Sequence, residues 1–69
     1  MRALVLEAGK HRVHLQVADQ IRFTSPYVLA AGQPRPHQWD HVSFEFEMIG
    51  SRRRVIIKRT LPTTHEPIR

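Results

Sequence analysis

The chain has 69 residues, eleven Lys and Arg against six Asp and Glu, a formal net charge of +5 and no cysteine. That length admits one small domain whose core supplies only a few kcal/mol, which excludes a large catalytic architecture, and the lack of cysteine excludes a disulfide framework and a thiolate zinc site. Nine of the eleven cations are arginine, whose planar fork bonds phosphate in pairs and stacks on bases, so a polyanion is the first partner to consider and an acidic protein surface the second.

Apolar residues recur at every second position through most of the chain, which predicts strands rather than helices. A first short strand runs from Arg2 to Leu6, and Glu7-Ala8-Gly9-Lys10 reads as a turn. From His11 to Val17 the residues Val13, Leu15 and Val17 share one face, with Arg12, His14 and Gln16 on the other. Ala18-Asp19-Gln20 is a tight connection to a third strand, Ile21 to Thr24, in which Ile21 and Phe23 continue the buried face opposite Arg22 and Thr24. Ser25-Pro26 then has the form of a helix cap with proline in the first turn, so Tyr27 to Ala31 are expected to make one or two helical turns stopped by Gly32. Two prolines between Gln33 and Gln38 make an irregular connector.

The clearest strand follows, His41 to Ile49, with Val42, Phe44, Phe46 and Met48 alternating with Ser43, Glu45 and Glu47. Gly50-Ser51-Arg52-Arg53 reads as the loop of a hairpin whose return strand is Arg54 to Arg59, with Val55 and Ile57 inward. Ile49 and Ile56 are expected on wet faces. Trp39, just ahead of a strand, is expected to close the end of the core, and Phe23, Phe44 and Phe46 to lie inside it. Residues 1–60 thus form one all-β domain and residues 61–69, with two prolines and no period, an extended or flexible tail.

Three meandering strands, a short helical connector and a final hairpin make a small five-stranded barrel. Across residues 2–59, and most closely in Asp40-His41-Val42-Ser43-Phe44-Glu45-Phe46 followed by Arg54-Val55-Ile56-Ile57-Lys58-Arg59, this layout resembles the OB-fold, in particular small members such as bacterial translation initiation factor one and the cold-shock proteins. An SH3-like barrel has nearly the same strand pattern. The chain lacks the aromatic-rich strand motifs with which cold-shock proteins stack bases. The OB resemblance implies a ligand on the face of strands two and three, between the loops that join strands one to two and four to five.

Those places are cationic here. The candidate binding residues are Lys10, Arg12, His14, Arg22, Arg52, Arg53, Arg54 and Lys58, with Tyr27 or Trp39 as stacking platforms and Glu45 and Glu47 on the opposite wall. The expected function is non-enzymatic binding of single-stranded nucleic acid or structured RNA in the cytoplasm. The alternatives are an adaptor or inhibitor docking on an acidic protein surface, anchored by Ile56, or a self-associating structural subunit. No cofactor is expected. The pairs His11/His14 and His37/His41 lack the further ligands of a metal site, and Ser25, Ser43 and Ser51 lack an evident base and orienting acid. No signal peptide and no membrane-spanning run are expected either.

Overall fold

Alternation of period two does build this protein. The computed structural model describes residues 1–62 and contains five strands, β1 (Arg2–Ala8), β2 (Arg12–Ala18), β3 (Ile21–Leu29), β4 (His41–Ile49) and β5 (Arg52–Leu61). They close into a barrel in the order β1-β2-β3-β5-β4. All neighbours are antiparallel except β3 and β5, which run parallel through Tyr27↔Val55, Val28↔Ile56 and Leu29↔Ile57. The barrel is OB-like. It closes on its other side where Arg2, Ala3 and Leu4 of β1 meet Ser43, Val42 and His41 of β4.

The core is the set of inward residues. Val5, Val13, Leu15, Val42, Phe44, Val55 and Ile57 are each 0% exposed, and Ala3 joins them at 4%. Phe23 and Phe46 pack on this cluster half-buried, Phe44 meeting Phe46 edge-on at 5.3 Å and 89°, an arrangement aromatic quadrupoles favour. All three phenylalanines therefore face inward, as the alternation predicts.

Three inward stripes run past the covered part of the barrel. Val17, Ile21 and Met48, expected inside, are 38%, 56% and 62% exposed. β3 and β5 begin at the same end, beyond the start of β1 at Arg2, so the β2–β3 and β4–β5 turns both project there, and Val17 is also the extra residue where the β2–β3 register shifts. Ile49, at that end, is 49% exposed, and Ile56 is half-buried on the outer wall.

The expected helix after Thr24 is instead the second half of β3. Ser25 is no cap: it points into the core at 7% exposure, and its hydroxyl donates to the Pro26 carbonyl at 2.9 Å. Residues up to Pro26 pair with β2, and from Tyr27 onward with β5. Pro26 sits at that change of partner. The N–H it lacks would have pointed toward β5 one residue before the ladder begins, so proline costs no hydrogen bond here. Tertiary pairing thus overrides a local helix-start pattern.

Other bounds shift outward. β1 runs on through Glu7 and Ala8, and a register shift at Leu6 sets Glu7 opposite His14 on the outer face and Ala8 opposite Val13 on the inner one. β5 begins at Arg52, because the hairpin turn is only Gly50-Ser51, with Gly50 at φ 63° as a two-residue turn of this kind requires. Leu61 still belongs to β5, and the rest of the expected tail from residue 63 lies outside the described residues. The connector from Ala30 to Asp40 is irregular, as expected. It is pinned by buried Pro36, by Ala30 N–H to the Ile57 carbonyl at 2.9 Å, and by Gln33 Nε2 to Thr60 Oγ1 at 2.7 Å.

So small a core makes single deletions severe. Phe44→Ala is expected to cost about 3–5 kcal/mol and leave most of the chain unfolded at 25 °C, and Ile57→Val about 0.5–1.5 kcal/mol with the fold retained. Urea unfolding followed by far-ultraviolet circular dichroism reads both; an unchanged midpoint for Phe44→Ala would contradict this core.

Candidate nucleic-acid interface

The register decides which polar side chains share a wall. On β2 and β3 the cross-strand pairs Arg12↔Pro26, His14↔Thr24 and Gln16↔Arg22 all lie outside, because Val13, Leu15, Phe23 and Ser25 between them point in. Arg12, His14 and Arg22 are thereby brought onto one face, as the sequence predicts. Glu7, Gly9, Arg12, Val13, His14 and Thr24 line a shallow groove of ≈ 220 Å³ at the end nearest the β1–β2 loop. Glu7 is the one element out of keeping with a polyanion site, and it stands there because of the bulge at Leu6.

β5 extends this wall beyond β3. The β3–β5 ladder stops at Tyr27↔Val55, but its register carried back sets Thr24 level with Arg52 and Pro26 level with Arg54. Arg52 therefore stands at the margin of the face and is exposed. Arg54 is committed elsewhere. Its Nε donates to Glu47 Oε1 at 2.7 Å across the β4–β5 hairpin, with both side chains about one-third exposed (35% and 39%).

Three further candidates take positions away from the face. Arg53 alternates to the inner side of β5 and lays its guanidinium over the Phe46 ring, 4.4 Å from the centroid, covering the open end of the aromatic cluster. Tyr27 is no stacking platform: its ring packs half-buried on the core and its hydroxyl donates to the Gly9 carbonyl at 2.7 Å, which ties the β1–β2 loop to β3. Lys58 is exposed, but it is the extra residue where the β4–β5 register shifts between Ser43/Phe44, near the far end of the strand from Arg52. Five cations between residues 52 and 59 thus disperse over two sides and both ends of one strand.

Sequence reasoning missed other cations. Arg2 and Arg59 both pair with Ser43, one from each side of β4, so the wall that carries Glu45 and Glu47 is mixed rather than acidic. Arg35, in the connector, lines with Lys10, Tyr27, Val28 and Leu29 a wider groove of ≈ 550 Å³ beside the β1–β2 loop. The two-residue Gly50-Ser51 turn was the available signal for the Arg54–Glu47 pair, since it fixes the partners from Ile49↔Arg52 as far as Phe44↔Ile57, where the register shifts.

Trp39 does not close the core; it is 59% exposed. In the same connector it is Pro36 that is buried. Among the described residues no cluster of three or more His, Cys, Asp or Glu side chains is placed to hold a metal ion, and no helix is long and apolar enough to cross a membrane. His37 Nδ1 lies 3.8 Å from Asp40 Oδ2, a contact internal to one turn.

This sorting separates structural from available arginines. Arg53→Ala is expected to lower stability by about 0.5–1 kcal/mol through loss of its cover on Phe46, and Arg52→Ala to change it by less than about 0.5 kcal/mol. Paired urea curves measure both, and equal effects would refute the distinction. In comparisons with known protein families, curated proteins and solved structures, nothing matches this chain.

Proposed function

We propose that the protein is a small non-enzymatic module that binds single-stranded nucleic acid, or unpaired stretches of structured RNA, through the outer wall of β2, β3 and the start of β5. The observation that carries this reading is the register that puts Arg12 and Arg22 on one face, with Lys10 at one rim and Arg52 at the other. Arginines on a barrel wall meet phosphates without the deep pocket a catalytic site needs, and they suit a flexible strand that can follow the surface. The resemblance in layout to initiation factor one and the cold-shock proteins, and a cytoplasmic setting, belong to the same proposal. Histidine 14 and Thr24 supply hydrogen-bonding groups between the cations.

The contacts are mostly with phosphate, so affinity is governed by counterion release and sequence preference is weak. Four phosphate contacts, one each from Lys10, Arg12, Arg22 and Arg52, give a slope of log K against log salt of about −3, hence about 50-fold weaker binding at 200 than at 50 mM salt. Fluorescence anisotropy of labelled single-stranded RNA and DNA measures this. Arg12→Glu with Arg22→Glu should abolish binding, and Glu7→Gln should strengthen it. An absence of binding at 50 mM salt, or a slope near zero, would sink the proposal and leave the cations as a docking surface for an acidic protein.

A further inference from the structure

Trp39 combines two features that rarely occur together. Its backbone is left-handed, at φ 74°, a region that large side chains avoid because the Cβ crowds the following carbonyl. Its indole is nevertheless mostly on the surface, 59% exposed, outside the buried cluster that forms the core.

The backbone around it is held tightly. The His37–Asp40 turn is closed by Asp40 N–H to the His37 carbonyl at 3.1 Å and by Asp40 Oδ2 accepting from His37 N–H at 2.9 Å. Trp39 N–H then donates to the Val5 carbonyl at 2.6 Å, and Val5 N–H to the Asp40 carbonyl at 2.8 Å. These bonds all belong to backbone or to Asp40. Glycine at position 39 would keep each of them and relieve the strain, so this hydrogen-bonded turn does not itself require an indole there. Strain retained at a rigid, exposed position is a mark of function rather than of stability.

Its location narrows the function. Val5 is opposite Leu15, and Glu7 opposite His14, so the Trp39 backbone lies two strand spacings from β2, about 10 Å. A short single strand reaching across β1 from the indole meets the middle of the basic face at His14, with Arg12 two residues farther along β2. We infer that Trp39 is a base-stacking platform, taking one unpaired nucleobase of the strand whose phosphates the β2–β3 wall holds. This inference rests on the proposed nucleic-acid reading and extends it from phosphates to bases.

The chain has a single tryptophan, so its emission reports this position alone. The probes are a twelve-nucleotide thymidine strand and an abasic strand with the same number of phosphates, each at 50 mM salt, with anisotropy and tryptophan emission followed together. The thymidine strand should quench the emission and bind more tightly than the abasic one. Trp39→Ala should bind thymidine about 5- to 150-fold more weakly than the wild type while its affinity for the abasic strand is unchanged. Trp39→Gly should lose the same affinity. Binding with unaltered emission, or equal affinity for the two strands, would each overturn the platform while leaving the phosphate-binding face intact. If neither strand binds, both readings fall, and the exposed indole is an anchor for a protein instead.

Discussion

Three residue pairs close this barrel. Tyr27, Val28 and Leu29 run beside Val55, Ile56 and Ile57, and no other pairing joins β3 to β5. Without that ladder the order would be an open sheet, β5-β4-β1-β2-β3, with β3 and β5 at its two edges. Val55 and Ile57 would lose their cover along with Val13 and Leu15 opposite, so the ladder and the core stand or fall together. Parallel pairing is slightly weaker per residue than antiparallel pairing, and here the core beneath it supplies most of the hold.

That economy explains the division of labour among side chains. Apart from buried Ser25, the inward positions near the ladder are aliphatic or aromatic, and where the inward stripes leave the barrel the same alternation yields exposed Val17, Ile21 and Met48. Charged groups are confined to outer positions, with Arg53 the exception that proves useful: turned inward, it lids the aromatic cluster with its cation over Phe46. The structure thus uses arginine in three ways, as a lid at Arg53, as a hairpin brace at Arg54, and as unengaged charge at Arg12, Arg22 and Arg52.

The strands that keep strict alternation were legible in the sequence. β4 is recognisable from Val42, Phe44 and Phe46 alone, β2 from Val13 and Leu15, and the placement of Arg12, His14 and Arg22 on one face follows from the same period. What escaped depends on partners distant in the chain. Ser25-Pro26 carries the local signature of a helix start, and only the β5 ladder keeps the backbone extended there. The bulges at Leu6 and Lys58 change which side a residue faces without any mark in composition. Tryptophan before a strand looks the same whether it seals a core or leaves it, and here the connector buries Pro36 while Trp39 stays exposed.

The early stretches of β3 and β5 run side by side without a ladder, from Ile21 to Pro26 on one and Arg52 to Arg54 on the other. Each presents an edge of backbone donors and acceptors to which a strand from another molecule could add. Arg22, Pro26 and the three arginines stand along that seam, and charge and proline are the means by which proteins keep such edges from associating. On the proposed reading Arg22 and Arg52 serve twice, meeting phosphate and keeping the seam from associating, whereas Arg53 and Arg54 stay with Phe46 and Glu47. A chain that traded Arg22 and Arg52 for neutral residues would under that reading lose both effects together.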